Sequence, residues 1–514
     1  MLPAHIAQNI RRQILYYLQS TFSFRDRQAG SAFERFLEDP DTGLFKGPWV
    51  QLRRPFRPAP DNIALPFDIN IPFHPFVHQY RAWQRLSARD HPPQNTIITT
   101  GTGSGKTECF LFPILDHCVR EKKLGKKGIK AIILYPMNAL ASDQEKRFVE
   151  TILKDDGALK TAGIRVGNYT GRYDATDPKG GQDKGYDKIG RDGGAYHGIT
   201  NHEEQKKVPP DILLTNYRML DFLLMRPQDQ KLWQFNEPGV LKYLVLDELH
   251  TYDGAQGADV ACLIRRLKER LHIQKGELCV VGTSATLDDR ELSKEQKEDG
   301  TADMVEPGKE RLARFAETLF EEHIPIENVL DEDRLTVEEI VHADLKDIDL
   351  PDPEQCHPRD DEDSTRYAIR QAQIWGGPVI EPEVVDGLRD DPASYDRAIE
   401  KWELDLGEWL KFSFLFKILL DVFHEAELRR EDPLPWTDLV ERLTRKEFAL
   451  QKIKSQADRE ILVASFCAMV AHAREQRSKV ASVLVPTQVQ LWVRELRRLG
   501  RVVSERPNFS WLDE

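Results

Sequence analysis

The sequence predicts an α/β fold, a doubly wound parallel sheet followed by a mostly helical region. Three observations carry that expectation. Between residues 76 and 290, short β-branched runs alternate with helical segments: "TIITT" (96–100), "AIILYP" (131–136), "DILLTN" (211–216), "YLVLDE" (243–248) and "LCVVGTSAT" (278–286). Continuous apolar strands of this kind suit a parallel sheet covered by helices on both faces. The first run passes into a glycine-rich loop and then a helix, "TGTGSGKT" (100–107), and the fourth ends in two adjacent carboxylates, Asp247 and Glu248.

The chain divides by composition into five stretches. Residues 1–75 read as a helical and extended N-terminal segment, helical to about residue 45 and proline-rich over 47–75. Residues 76–290 form the α/β domain. Inside it, 170–207 is rich in Gly, Asp and Lys with almost no apolar periodicity, so a long loop is expected, either a solvated insertion or one that contacts nucleic acid. Residues 291–400 read as an acidic, irregular linker or insertion, whose run Asp360 to Asp363 could shield a nucleic-acid track. Residues 401–478 read as amphipathic helices, and 479–503 as a strand, a helix ("LWVREL") and a further strand.

The formal net charge of −13 argues against a general electrostatic grip on nucleic acid, though not against a local basic track. Six scattered cysteines include no C-x-x-C pair, so no zinc ribbon or disulfide framework is readable and reduced thiols are expected. The N-terminus has no secretory pattern, and the most apolar stretch, "FSFLFKILLDVF" (412–423), is too short for a bilayer and carries Lys417 and Asp421. A soluble, cytoplasmic protein with no membrane partner is the expectation.

The chemistry concentrates in two places. In "TGTGSGKT", glycines at 101, 103 and 105 let backbone N–H groups face a phosphate, and the helix N-terminus adds its partial positive charge. Thr102, Gly103, Ser104, Gly105, Lys106 and Thr107 are the candidate nucleotide ligands, with Lys106 reaching the β- and γ-phosphates and Thr107 holding Mg²⁺ through its hydroxyl. A nucleotide held this way needs a second magnesium contact and a group to position the attacking water, at the end of a strand neighbouring the loop's own. "YLVLDE" supplies them: Asp247 for Mg²⁺ and Glu248 for the water. Asp247 alone could equally cap a helix; the glycine-rich loop makes the catalytic assignment the stronger one. After His250, Val260, Leu263, Leu267 and Leu271 fall at helical spacing, with Arg265, Arg266 and Lys268 on a solvated face.

With "DELH" (247–250), the chain resembles superfamily 2 helicases of the DEAD/DEAH class, and more narrowly the MrfA-like branch of DNA helicases that includes large bacterial members of the DISARM and Druantia defence systems. The resemblance covers 76–290 and implies a RecA-like first motor lobe that uses ATP and Mg²⁺. "FVHQYRAW" (76–83) resembles the adenine-reading element, which implies that Gln79 contacts the base. "YPMNALASDQ" (135–144) resembles "YPTKALAQDQ", a nucleic-acid backbone contact including Pro136 and Asn138, with Met137 and Asn138 in place of Thr and Lys. "PPDILLTNYRML" (209–220) resembles "PDILLTNPDML", implying strand contacts from Thr215 and Asn216, and "GNYTGR" (167–172) sits where the family has another, with Gly171 and Arg172. "GTSATL" (282–287) matches the motif in which Ser284 and Thr286 couple nucleotide state to strand movement, together with His250. In the loop, Thr100 stands where the pattern has Gly or Ala.

The family's second lobe carries arginines in Gln-x-x-Gly-Arg-x-Gly-Arg, and no such stretch occurs here. "VPTQVQLWVREL" (485–496) resembles the start of that lobe, so 479–514 is assigned to it, with the rest expected in a longer product or a separate subunit. The resemblance implies an ATP-dependent DNA translocase, incomplete alone, acting on single-stranded or tailed DNA in a bacterial anti-phage defence or DNA-repair complex with nuclease or methylase partners. Two alternatives stay open: a non-catalytic nucleotide-switch scaffold, and an RNA helicase, since backbone contacts alone do not read the 2′-OH.

Overall fold

The four-residue apolar runs become strands because the sheet buries them on both faces. TIIT, AIIL, ILLT and YLVL are buried at every position. The computed structural model describes residues 3–22, 24–39, 43–101, 103–154, 157–170, 198–199, 202–284, 308–359, 362–380, 392–429, 431–477, 480–494, 499–502 and 508–511. The chain divides into two compact units, Phe56–Asp333 and Met1–Pro55 with Arg334–Glu514. The first elements, α1 (Pro3–Thr21), α2 (Arg27–Glu38) and β1 (Phe45–Leu52), belong to the second of these.

Phe56–Asp333 contains α3 (Val77–Leu86), β2 (Thr96–Thr99), α4 (Lys106–Lys123), β3 (Ala131–Leu134), α5 (Asn138–Lys154), α6 (Ala158–Ala162) and β4 (Val166–Tyr169). It continues with β5 (Gly198–Ile199), α7 (His202–Lys207), β6 (Ile212–Thr215), α8 (Tyr217–Met225), β7 (Tyr243–Leu246), α9 (Gly254–Arg270), β8 (Cys279–Ser284), α10 (Gly308–Phe320) and β9 (Val329–Asp331). Eight strands form one parallel sheet in the order β5-β4-β6-β3-β7-β8-β2-β9. Alternate residues of each strand serve opposite faces. Ile132, Leu134, Leu244 and Leu246 join one core with residues of α8, α9 and α10, while Ala131, Ile133, Tyr243 and Val245 join the other with residues of α3, α4 and α5.

Three expectations change here. β8 lies between β7 and β2, so the strand that ends in Asp247 and Glu248 is one removed from the loop strand rather than its neighbour. The stretch 291–400 is not irregular throughout: α10 packs on the sheet and β9 pairs with β2 at its edge, because Phe320, Val329 and Leu330 are buried there. Lys268 is not solvated; its Nζ donates to Phe320 O at 2.7 Å and to buried Glu322 at 2.6 Å.

In the other unit, helices Ser364–Ile374, Pro392–Lys411, Phe414–Leu428, Trp436–Lys446 and Gln456–His472 share one apolar core with Val50 and Leu52 of β1. Leu491–Val493, the start of the expected "LWVREL" helix, instead belong to a strand, Thr487–Val493, antiparallel to β1, and Glu495 and Leu496 lie outside the described residues. Of the acids expected to shield a nucleic-acid track, Glu362 pairs with Arg370 at 2.7 Å and Asp363 caps the helix Ser364–Ile374, so both serve local structure. Asp360 and Asp361 lie outside the described residues. No helix among the described residues is long and apolar enough to cross a membrane, and all six cysteines are free.

Candidate active site

β2 delivers the glycine-rich loop. Gly103 and Gly105 adopt φ of 76° and 74°, a left-handed backbone that costs a residue with a side chain roughly 1–2 kcal/mol. At Gly105 a Cβ would also sit 2.3 Å from Gln79 Nε2. Glycine therefore lets the chain turn directly into α4, whose first N–H groups and positive end face the loop. Thr100, the departure from the family pattern, is fully buried, and its hydroxyl lies 2.6 Å from that of Ser104, bracing the loop from inside. His78 Nε2 lies 2.8 Å from Ser104 O. Gln79 donates to Gly105 O at 3.4 Å and accepts the Phe76 N–H at 2.9 Å. The expected base-reading amide thus rests against the loop. Thr107 occupies the first turn of α4; Thr102 lies outside the described residues.

The two acids follow β7. Strand register sets Leu246 opposite Gly282 and Thr99 opposite Ser284, which brings the ends of β7, β8 and β2 to one rim. Thr283 bridges the acids: its hydroxyl donates to Asp247 Oδ1 and accepts the Glu248 N–H at 3.2 Å. Sequence reasoning had passed over Thr283, since its only signal is the register between β7 and β8. Glu248 has φ of 52°, a left-handed conformation uncommon outside glycine. Its Oε1 lies 3.6 Å from Lys106 Nζ and its Oε2 3.5 Å from His250 Nδ1. His250 Nδ1 in turn lies 3.3 Å from Ser284 Oγ. Burial pushes the Asp247 carboxyl above its ordinary range; the Thr283 hydrogen bond opposes that and the charge of Glu248 adds to it. A half-buried carboxylate beside a like charge, accepting a hydroxyl hydrogen bond, favours a hard cation. Thr107 and Asp247 offer oxygen donors, the chemistry Mg²⁺ takes.

Residues 77–294 match the DEAD/DEAH box helicase family. They form a DEAD/DEAH box helicase domain. The chain is also similar to the Druantia protein DruE of Escherichia coli (strain UMEA 4076-1), 28% identical over 377 residues that cover 55% of this chain and 20% of DruE. It is 28% identical over 214 residues to the uncharacterized ATP-dependent helicase YprA of Bacillus subtilis (strain 168), covering 41% of this chain and 23% of YprA. The solved structure of the helicase MrfA bound to DNA is 22% identical, covers 57% of this chain and 33% of that one, and has a TM-score of 0.36. The match therefore spans about a fifth of the length of the two curated relatives.

At the same rim, the helicase domain brings together expected nucleic-acid residues that follow β3 and β6. Asn216 caps α8, accepting the Met219 N–H at 2.8 Å, and its Nδ2 donates to Asn138 Oδ1 at 2.7 Å. Asn138 and Pro136 are half-buried and Met137 is exposed. Thr215 is corrected: it is fully buried, and its hydroxyl donates to Tyr169 O at 2.6 Å. It holds β4 against β6 and is not placed to touch a strand. Gly171, Arg172 and Thr286 lie outside the described residues.

Proposed function

We propose that Phe56–Asp333 is the first motor lobe of an ATP-dependent DNA helicase or translocase of the MrfA-like branch, acting in a bacterial defence or DNA-repair complex. The observation that carries the reading is the convergence of Lys106, Asp247, Glu248 and Thr283 with the His250–Ser284 contact at the ends of β2, β7 and β8. Mg²⁺·ATP would supply the scissile phosphoanhydride and a divalent charge. Lys106 neutralises the terminal phosphates, Thr107 and Asp247 hold the cation, and Glu248 orients a water and takes its proton. Thr283 fixes the two acids relative to each other. His250 and Ser284 join the two motifs, so a change at Glu248 is felt in β8. Asn138 and Asn216 position a strand through its backbone, without reading sequence.

Full turnover on this reading needs an arginine from a second RecA-like lobe, worth about 10³–10⁵-fold in rate. The test is ATP turnover and Mg²⁺·ATP binding by this chain, with and without single-stranded DNA or RNA, beside Lys106→Ala and Glu248→Gln. The expected result is binding that Lys106→Ala abolishes, with slow turnover and preference for DNA. Brisk strand-stimulated turnover lost in both variants would overturn the need for a second lobe. Nucleotide binding indifferent to Lys106 would overturn the motor reading itself.

A further inference from the structure

Beneath the proposed strand-binding rim lies a carboxyl that no part of the motor chemistry uses. Glu145 is 3% exposed and faces Asn168, itself 6% exposed. Asn138, Ser142 and Glu145 follow one another at i, i+4 and i+7 on α5, so they share a helix face. Asn168, the last residue but one of β4, meets that face: its Nδ2 donates to Glu145 Oε2 at 3.0 Å and to Ser142 Oγ at 3.3 Å. Its other amide atom, Oδ1, is buried and accepts no hydrogen bond among the described residues. An ionised carboxylate has no donor to offer that oxygen. A carboxylic acid has one, and would close a two-bond acid–amide pair with Asn168.

We propose that Glu145 is a positioning residue held as the neutral acid against the Asn168 amide, and that binding of a nucleic-acid strand takes up its proton. The second half rests on the nucleic-acid reading given above. The pair sits in a chain of bonds joining the ends of β4 and β6 to the start of α5. Gln205 donates to Asn168 O at 3.0 Å, Thr215 to the neighbouring Tyr169 O at 2.6 Å, and Asn216 to Asn138 at 2.7 Å. Ionising Glu145 would set a buried anion under a surface meant for phosphates, and a bound strand would oppose that ionisation.

Burial pushes the Glu145 carboxyl up to about 7, against the opposing hydrogen bond from Asn168. Charged neighbours do not set this value. On α5, Arg147 is paired with Glu108 and Lys146 lies 3.9 Å from Glu150, while Asp143 is exposed. On α7, Lys206 is paired with Asp229 at 3.0 Å, and the His202 ring stacks on Tyr169.

The test uses the full chain with Glu145→Gln and Glu145→Ala. A fluorescently labelled single-stranded DNA oligonucleotide is titrated at constant ionic strength from about pH 6 to about pH 8.5, a window spanning the raised value. Wild-type affinity is expected to fall by about three- to tenfold across it, within the limit of one decade per pH unit for a single group. Glu145→Gln, whose amide can keep both bonds with Asn168, should hold its affinity nearly constant, and Glu145→Ala should bind weakly throughout. A Glu145→Gln profile parallel to wild type would overturn the coupling.

Urea unfolding of the same proteins without DNA tests the pair by itself. The folded carboxyl is raised from 4.5 to about 7, so the folded state holds the extra proton between those values. Wild-type stability relative to Glu145→Gln should fall as pH rises through that window and level off above it. Parallel stability curves would overturn the acid–amide pair. Absence of DNA binding at every pH would overturn both the nucleic-acid reading and the coupling, while the unfolding curves still decide the pair.

Discussion

Thr283 shows how much the site owes to one hydroxyl. It serves Asp247 and the Glu248 N–H together, so Thr283→Val leaves a half-buried carboxylate and a backbone donor without that partner. The expected cost is about 1–3 kcal/mol of stability, read by chemical denaturation. Asp247 carries the opposite tension. Its carboxyl is pushed up mainly by burial, so its ionised form opposes folding. Asp247→Asn should raise the thermal midpoint near neutral pH while abolishing Mg²⁺-dependent nucleotide binding. That gain should shrink as pH falls through the raised value, since the wild-type acid is then neutral too; scanning calorimetry at two pH values checks it. Lys106, Glu248 and the glycines were legible in the sequence because loop, lysine and helix are contiguous in the chain. Thr283 and the Glu145–Asn168 pair were not, because each joins residues from two different elements.

At the scale of elements, the loop-to-helix junction and the cap of α8 are the sensitive joints. Gly105→Ala meets both a left-handed φ of 74° and a Cβ contact of 2.3 Å with Gln79. It should lose nucleotide binding at least about tenfold while far-UV circular dichroism stays unchanged, since the backbone penalty alone is roughly 1–2 kcal/mol. Asn216→Ala removes the α8 cap and the bond to Asn138. It should cost about 0.5–2 kcal/mol and weaken strand binding more than nucleotide binding, as paired titrations would show. Five of the parallel strands, β2, β3, β6, β7 and β8, were readable because each carries a β-branched or apolar run, whereas β4 ("VGNY"), β5 and β9 are too short or too polar to signal a strand. The strand Thr487–Val493 was not readable either: "TQVQLWVREL" carries apolar residues compatible with either period, and its pairing with β1, far away in the chain, selects the strand. The insertion of β8 between β7 and β2 was equally hidden, since local pattern says nothing of strand order.

The whole molecule holds two sets of cores that share no residues: one set within Phe56–Asp333, the other within Met1–Pro55 and Arg334–Glu514. Separate cores predict separable unfolding. Calorimetry of the full chain should show two transitions, of which Mg²⁺·ATP raises one, by RT ln(1 + [L]/Kd), or about 2.7 kcal/mol at a hundredfold excess over Kd. A single transition raised as a whole would show that the units unfold together.

The central claim is that Lys106, Asp247 and Glu248 form one Mg²⁺-dependent nucleotide site. Isothermal titration of the chain with ATP, with and without Mg²⁺, beside Lys106→Ala and Asp247→Asn, tests it most directly. The account predicts saturable one-site binding that requires Mg²⁺ and is lost in both variants. Binding of equal strength in wild type and Lys106→Ala, or binding indifferent to Mg²⁺ and to Asp247, would contradict it.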